Sequence, residues 1–216
     1  MEIHHEVQLA ILKQLLFYPE SRFSELNTEG LDNNHFNFHL KRLVELGLVE
    51  KTGQIYKLTP SGLEIAGRLD LKVMEFPRQP KVGVALYVEK GGKVLLGKRL
   101  KDPGKNTWNF YTRKVRFKES VYETARVCLL EETGLEAEFE YAGTFRIMNP
   151  RTDTLFVCFR TIKITGELVQ QSFEEENKWY TLEEAQKLTN TFPQFKADLE
   201  LYRKGGVFFK EIQEED

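Results

Sequence analysis

The chain has 216 residues, of which 41% are hydrophobic and 12% aromatic. This size and composition are typical of one large or two modest globular domains and exclude a disordered or fibrous chain. The formal net charge of −2 gives no global sign of a nucleic-acid or membrane partner.

The first residues, MEIHHEVQ, contain no basic run leading into an apolar segment. No apolar run approaches membrane-spanning length, so we expect a cytoplasmic protein with no membrane partner. A disulfide between Cys128 and Cys158, the only cysteines, is one interpretation, and two free thiols in a reducing cytoplasm are the preferred one.

Residues 1–70 are predicted to form a separate small domain. Its predicted elements are a helix over His5–Phe17, a short helix opening at Phe23, a helix capped by Asp32 and ending at Gly47, a hairpin around Thr52-Gly53, and a helix restarting at Thr59-Pro60. Three helices and a hairpin in this order resemble a winged helix-turn-helix.

The resemblance implies that the third helix enters the DNA major groove. Asparagine pairs bidentately with adenine, so a helix carrying several asparagines suits base reading. The candidate DNA-binding residues are Asn33, Asn34, Asn37, Phe38 and Lys41.

The net charge of the first domain argues against DNA binding. Up to Glu75 the chain has 8 Lys and Arg against 11 Asp and Glu, a net charge of −3, which is unusual for a DNA binder. Dimerisation or docking of another protein is the competing role for such a domain, and a homodimer is the expected assembly.

All four histidines lie in this domain. His35 and His39 are one helical turn apart, and His4-His5 stand at the start of the chain. A metal-sensing site is one interpretation, since neutral imidazole binds zinc. Without an accompanying cysteine, surface or helix-packing histidines are the preferred interpretation.

Residues 71–80 are predicted to be a stiff linker, because Pro77 and Pro80 interrupt regular structure. Residues 81–216 then form a second domain with strand, hairpin and helix patterns. The predicted elements are a strand with Val82, Val84, Leu86 and Val88 on one face, a turn at Gly91-Gly92, long strands over Ala137–Met148 and Thr154–Ile164, a helix capped by Thr181, and a helix over Phe192–Arg203.

The second domain is organised around a helix in the stretch from Glu119 to Leu135. Ser120 and Glu123 form a capping-box pattern at its start, and Gly134 is placed to end it. Its predicted apolar stripe consists of Val121, Tyr122, Ala125 and Leu129.

This stretch resembles the Nudix box. The matching residues are Glu119, Leu129, Glu131, Glu132, Gly134 and Leu135, with Trp108 at the place of the tryptophan that commonly precedes the box. Together with the winged-helix resemblance of residues 1–70, this resemblance implies an α+β protein: an N-terminal winged helix-turn-helix plus a C-terminal Nudix α/β/α sandwich with a mixed sheet. It also implies catalytic and metal-binding roles for Glu119, Glu131 and Glu132.

Two departures weaken the implied metal site. Arg113 stands where the first box glycine belongs, and Val127-Cys128 stand where the family has Arg-Glu. Mg²⁺ prefers oxygen ligands, whereas thiolates select softer metals. We therefore expect Mg²⁺ or Mn²⁺ to bind weakly or not at all.

The loop from Lys98 to Lys118 is strongly basic. It contains eight Lys and Arg against one acid, Asp102. One interpretation is that fixed cations bind a ligand diphosphate in place of metal ions, with Arg99, Arg113, Lys114 and Arg116 as the ligand-binding candidates. Internal pairing of Arg113 and Arg116 with the box glutamates is supported equally well. A solvated basic face or a second DNA contact is a less favoured interpretation.

Two further features have competing explanations. Cys128 is either a lost ligand position or plain core, and no histidine lies in this domain to activate it. Glu174, Glu175 and Glu176 resemble the place of an extra metal carboxylate in some Nudix enzymes, and an acidic surface loop explains them equally well.

These observations favour a ligand-responsive transcription regulator that binds DNA and a nucleotide-like small molecule, such as an ADP-ribose-like compound, with little or no hydrolysis. The alternatives are a metal-dependent Nudix pyrophosphohydrolase with an atypical metal site and a non-catalytic protein-interaction module.

Overall fold

The structure, a computed structural model, describes residue 3, residues 5–28 and residues 30–213. It divides into two compact units, Met1–Arg78 and Gln79–Asp216, which are described separately. Their boundary lies inside the predicted linker. Leu71, Met74 and Phe76 pack against the core of the first unit, so the first part of that segment belongs to this unit.

The first unit combines four helices with a small antiparallel sheet of order β1-β3-β2. Its elements are α1 (Glu6–Phe17), β1 (Ser21–Arg22), α2 (Phe23–Leu26), α3 (Asn33–Glu45), β2 (Val49–Thr52), β3 (Ile55–Leu58) and α4 (Pro60–Ala66). The order and approximate bounds agree with the sequence pattern. Side-chain caps explain three helix starts: His5 accepts a hydrogen bond from the backbone of α1, Asp32 from α3 and Thr59 from α4.

Helix α3 has one buried and one outward face. Phe36, Leu40 and Leu43 are at most 2% exposed and belong to the apolar core of the unit. Four of the five predicted DNA-binding residues on α3 are exposed: Asn33, Asn34, Phe38 and Lys41. The fifth, Asn37, is half-buried. The spacing of Asn34, Asn37, Phe38 and Lys41 sets them along one face of the helix.

The second unit contains a mixed sheet of order β10-β5-β4-β9-β8-β11, with β6 paired to β5 and β7 to β4. Its elements are β4 (Lys81–Lys90), β5 (Lys93–Arg99), β6 (Trp108–Asn109), β7 (Tyr111–Lys114), α5 (Val121–Thr133), β8 (Leu135–Asn149), β9 (Thr152–Gly166), β10 (Glu175–Thr181), α6 (Leu182–Lys187), α7 (Phe195–Lys204) and β11 (Phe208–Gln213). The pairs β4–β9 and β8–β11 are parallel, and the other paired strands are antiparallel.

Strand β4 is buried on both faces and divides two apolar cores. Val84 and Leu86 face a cluster that includes Ala125 and Leu129 of α5. Ala85 and Tyr87 face the other cluster, which includes residues of α6 and α7. Helices therefore cover the sheet on both sides.

The structure corrects several local predictions. Val82 is 42% exposed and Tyr122 51% exposed, so neither is a core residue of the predicted stripes, although the Tyr122 ring contacts Phe159. The box helix buries Thr124, Cys128 and Thr133 beside its apolar residues. The predicted basic loop contains strands β6 and β7, and the helix predicted from Phe192 begins at Phe195, as α7. In the described residues, no helix has the length and apolar character needed to cross a membrane.

Candidate functional site

A cleft of about 650 Å³ in the second unit collects most of the predicted site residues. Its lining is Lys81, Gly83, Arg99, Lys101, Thr112, Arg113, Lys114, Arg116, Cys128, Glu131, Glu132, Thr154, Phe156 and Glu174. Two box glutamates and the four ligand-binding candidates of the basic loop are thus brought together. Glu119 is not part of this lining.

Helix α5 positions the two glutamates because its ends are well defined. Ser120 Oγ accepts a hydrogen bond from the Glu123 backbone N–H at 3.3 Å. At the other end Gly134 adopts φ +71°, and its N–H donates to the Leu130 carbonyl. A side chain at Gly134 would also approach Val169 within 2.8 Å, so glycine is required there on two grounds.

A buried amide ties this helix end to the sheet. The Asn177 side chain on β10 donates to the Glu132 carbonyl at 2.6 Å and to the Val169 carbonyl at 2.8 Å. Its oxygen accepts a 2.8 Å hydrogen bond from the Tyr111 hydroxyl. Asn177 is 2% exposed, so loss of these bonds would leave buried polar groups unsatisfied. Sequence reasoning missed Asn177, because no local pattern signals a long-range contact of this kind.

The three box carboxylates each have a protein partner. Glu131 accepts from the Arg113 guanidinium at 2.5 Å, Glu132 from Ser172 Oγ at 2.6 Å, and Glu119 from the Arg116 backbone N–H at 3.1 Å. Across the residues that the structure describes, these carboxylates do not converge into a three-donor cluster. The internal-pairing interpretation therefore holds for Arg113 and Glu131, and the Arg116 guanidinium is in no such pair.

The donor set fits a divalent hard cation poorly. Cys128 occupies the remaining box position and is 1% exposed among apolar neighbours. Burial, followed by the charge of Glu132, raises the pKa of the Cys128 thiol well above its usual value, so it is a neutral core residue. With Glu131 paired to Arg113, Glu132 alone offers a carboxylate without a cationic partner at this helix end.

The acidic run Glu174–Glu176 neutralises part of the basic loop. Strands β10 and β5 pair with Glu175 opposite Arg99 and Glu176 opposite Lys98. Glu176 forms an ion pair with Lys98, Glu174 with Lys101, and Glu175 with Arg99 at 3.9 Å. These acids are therefore partners of the basic loop, and only Glu174 lies in the lining of the cleft.

Three cations of the cleft have no acidic partner. Lys81, Lys114 and Arg116 line it, and none of them takes part in an ion pair among the described residues. The sequence did not predict Lys81 as a site residue, because it lies outside the basic loop. It lines the cleft from strand β4. The cleft thus retains positive charge that the protein itself does not neutralise.

A second cavity of about 400 Å³ shares Arg99, Thr112, Thr154 and Phe156 with the cleft. Aromatic side chains dominate its apolar lining: Phe110, Phe145, Phe156 and Phe192. Two buried polar atoms in the lining residues, Arg99 Nε and Asn109 Oδ1, have no hydrogen-bond partner in the part of the chain that the structure describes. Unpaired buried polar groups beside aromatic walls are typical of a ligand-binding pocket.

Two carboxyl groups, Glu175 and Asp198, line this second cavity. Burial, followed by the nearby Glu132 carboxylate, raises the pKa of Glu175 to about 7, and the Arg99 guanidinium opposes the shift. The charge of the cavity therefore changes close to neutral pH.

Comparison with known proteins identifies this second unit. The NUDIX domain profile matches residues 77–200. No curated protein sequence matches the chain.

Solved structures similar to this chain share the fold. A MutT NUDIX hydrolase from Burkholderia pseudomallei is 21% identical, covering 57% of this chain and 98% of its own, with a TM-score of 0.52. The E. coli ORF135 protein is 25% identical, covering 58% of this chain and 90% of its own, with a TM-score of 0.51. The NUDIX domain of Shewanella oneidensis NrtR, in complex with ADP ribose, is 20% identical, covering 68% of this chain and 98% of its own, with a TM-score of 0.52.

Proposed function

Because the chain belongs to the NUDIX family, we propose that it is a ligand-responsive transcription regulator whose Nudix domain binds a nucleoside-diphosphate compound of the ADP-ribose class with little or no hydrolysis. The observation that carries this proposal is the charge of the cleft. Lys81, Lys114 and Arg116 line it and are in no ion pair with any described residue, whereas Glu131 is held by Arg113.

A diphosphate bears two negative charges that a Nudix enzyme neutralises with metal ions. Here fixed cations supply the positive charge. Arginine donates paired hydrogen bonds to phosphate oxygens, and lysine provides a compact point charge. Removing such a charge-assisted bond costs roughly 1.5–3 kcal/mol.

The second cavity suits the rest of such a ligand. Its aromatic walls offer surfaces on which a base or ribose packs, and Asn109, Thr112 and Gln194 of its lining are polar. Its shared lining with the basic cleft would allow one molecule to span both. The complex of the NrtR NUDIX domain with ADP ribose supports a ligand of this class on this fold.

The regulator role rests on the first unit, which we propose is a winged helix that binds DNA. Helix α3 presents Asn34, Phe38 and Lys41 to solvent beside Asn33 and the half-buried Asn37. The β2–β3 hairpin follows this helix, as the wing does in that architecture.

A metal-dependent pyrophosphohydrolase is the second candidate, because Glu131 and Glu132 both line the cleft. Hydrolysis by this route would require Glu131 to leave Arg113 and Glu132 to leave Ser172. The poor donor set ranks this candidate below non-hydrolytic binding.

Calorimetric titration of the full chain with ADP-ribose in EDTA tests the proposal. We expect binding to persist without divalent ions and to weaken about tenfold or more in Lys114→Ala and Arg116→Ala. Lys163→Ala, an exposed lysine on β9 outside the cleft, is the matched control. Binding that disappears with the metal would show instead that the carboxylates hold the ligand.

A further inference from the structure

Three histidines of the first unit lie close together although they are far apart in sequence. His35 and His39 are one turn apart on α3, and His5 stands at the cap of α1. One ring nitrogen of each histidine lies within 4.8 Å of the others, and this is the one cluster of potential metal ligands found in the described part of the chain. His4 lies outside the described residues.

The spacing of the nitrogens matches shared coordination. His35 Nε2 and His39 Nε2 are 3.2 Å apart. Two imidazole nitrogens bound to one tetrahedral zinc ion, each at 2.0–2.1 Å, are separated by roughly 3.3 Å. Two histidines four residues apart on a helix are also a recurrent pair of zinc ligands.

A hydrogen bond between the two rings alone would explain the same 3.2 Å. It would not account for the third ring, whose centroid is 3.8 Å from that of His39. His39 is only 5% exposed, and three imidazoles gathered around a buried one are better explained by a common ligand.

The donor atoms of the cluster are all imidazole nitrogens. Neutral imidazole is the form that coordinates metal ions, and a set of nitrogen donors suits zinc, copper, nickel or cobalt better than magnesium or calcium.

We propose that His5, His35 and His39 form a binding site for a divalent transition-metal ion of the zinc class, with water or an external ligand at the fourth position. Such an ion would join the start of α1 to α3. His5 Nδ1 accepts a long hydrogen bond of 3.3 Å from the Val7 backbone N–H, which places the proton of a neutral ring on Nε2. Binding of the ion through that nitrogen therefore requires the tautomer with its proton on Nδ1, so the ring stays neutral and the weak cap to Val7 is lost. The proposal is independent of the Nudix cleft and of DNA binding.

The test is a zinc titration of the metal-stripped full chain by calorimetry, with excess Mg²⁺ to occupy carboxylates. We expect one Zn²⁺ per chain, and a rise in the thermal unfolding midpoint when zinc is added. His35→Gln should weaken zinc binding by about tenfold to a hundredfold or more, and should abolish the thermal shift. His35 is exposed, so this variant is expected to fold.

Two comparisons make the result specific. Arg42→Gln changes an exposed residue of the same helix and should bind zinc as the unmodified protein does. Co²⁺ should give the visible absorption of a tetrahedral site in the unmodified protein but not in His35→Gln. Equal zinc affinity of His35→Gln and the unmodified chain, or loss of zinc binding in Glu131→Gln, would overturn the proposal.

Discussion

Arg113 on β7 donates a 2.5 Å hydrogen bond to Glu131 on α5, so an arginine at a box-glycine position neutralises a box glutamate. The Arg113 side chain is 19% exposed and that of Glu131 57% exposed, so the pair lies at the edge of the cleft. Surface pairs of this kind stabilise a protein by about 1 kcal/mol at most. The main consequence of the pair is therefore for the chemistry of the cleft.

Hydrolysis of ADP-ribose, NADH and nucleoside triphosphates in Mg²⁺ is expected to be weak or absent, below about 1 s⁻¹. The reason is that Glu131 is paired and that Cys128 occupies a ligand position as a buried thiol. Steady-state assays of product release measure this. Turnover at ordinary enzyme rates would contradict the prediction.

Restoring the box is the complementary experiment. In the double variant Arg113→Gly with Cys128→Glu, Glu131 is released and a third carboxylate is added, so Mg²⁺-dependent turnover should rise at least about tenfold. Arg113→Gly with Cys128→Ser is the matched control and should stay inactive. Circular dichroism establishes that both variants fold.

Ligand affinity should depend on pH through Glu175. Its pKa of about 7 means that the carboxyl is mostly neutral at pH 6 and mostly charged at pH 8. A negative Glu175 repels a diphosphate, so ADP-ribose should bind roughly threefold to tenfold more tightly at pH 6, which corresponds to about 1 kcal/mol. Calorimetry at the two pH values measures the effect, and Glu175→Gln should reduce it to the contribution of Asp198, whose pKa is also about 7 and which lines the same cavity. An unchanged pH dependence in that variant would assign the effect to another group.

Asp198 should make the second unit less stable as pH rises. Burial raises its pKa from 3.8 to about 7, and the Tyr87 hydroxyl, which donates to it, opposes the shift. Between these pH values the folded state binds more protons than the unfolded state. The contribution of Asp198 to the free energy of unfolding therefore falls as pH increases. Asp198→Asn should therefore gain stability over the unmodified protein by about 1–4 kcal/mol at pH 8.

Urea unfolding at pH 5 and pH 8 measures that difference, using the transition of the second unit. The gain of Asp198→Asn should be clearly larger at pH 8. A gain of equal size at both pH values would show that the change acts through packing.

DNA binding is expected to use the outward face of α3. Replacing Asn34 and Asn37 with Ala should remove sequence preference, because asparagine amides pair with base edges. Fluorescence anisotropy with DNA from upstream of the gene, against a shuffled duplex at the same salt, measures this. Binding of ADP-ribose should be unaffected in the double variant. Unchanged preference would mean that α3 is not the reading element.

A ligand-responsive regulator also requires coupling between the two sites. ADP-ribose is expected to change DNA affinity by about 5- to 150-fold, a coupling of roughly 1–3 kcal/mol, and DNA must change ligand affinity by the same factor. Anisotropy with and without saturating ligand gives the first factor, and calorimetry with and without DNA gives the second. Equal DNA affinity in both conditions would rule out the regulator role while leaving ligand binding intact.

Local signals made much of the fold predictable. Asp32 and Ser120 mark helix starts, and Gly134 marks a helix end, because caps satisfy backbone groups within a few residues along the chain. The box register likewise placed Glu131 and Glu132 side by side on one helix, and both line the cleft. Exposure of Val82 and Tyr122 was not predictable, because periodicity defines a face without saying how far a core extends.

Only the tertiary structure decided how the charges are partnered. The basic loop and the acids Glu174–Glu176 are about seventy residues apart, and the antiparallel register of β5 and β10 sets their pairing. Among the described residues Lys114 and Arg116 are in no ion pair, and in the first unit the packing of α1 against α3 brings His5 to His35 and His39. Sequence determines which side chains are present and which face of an element they occupy. Contacts between distant elements depend on strand register and core packing, which no short pattern encodes.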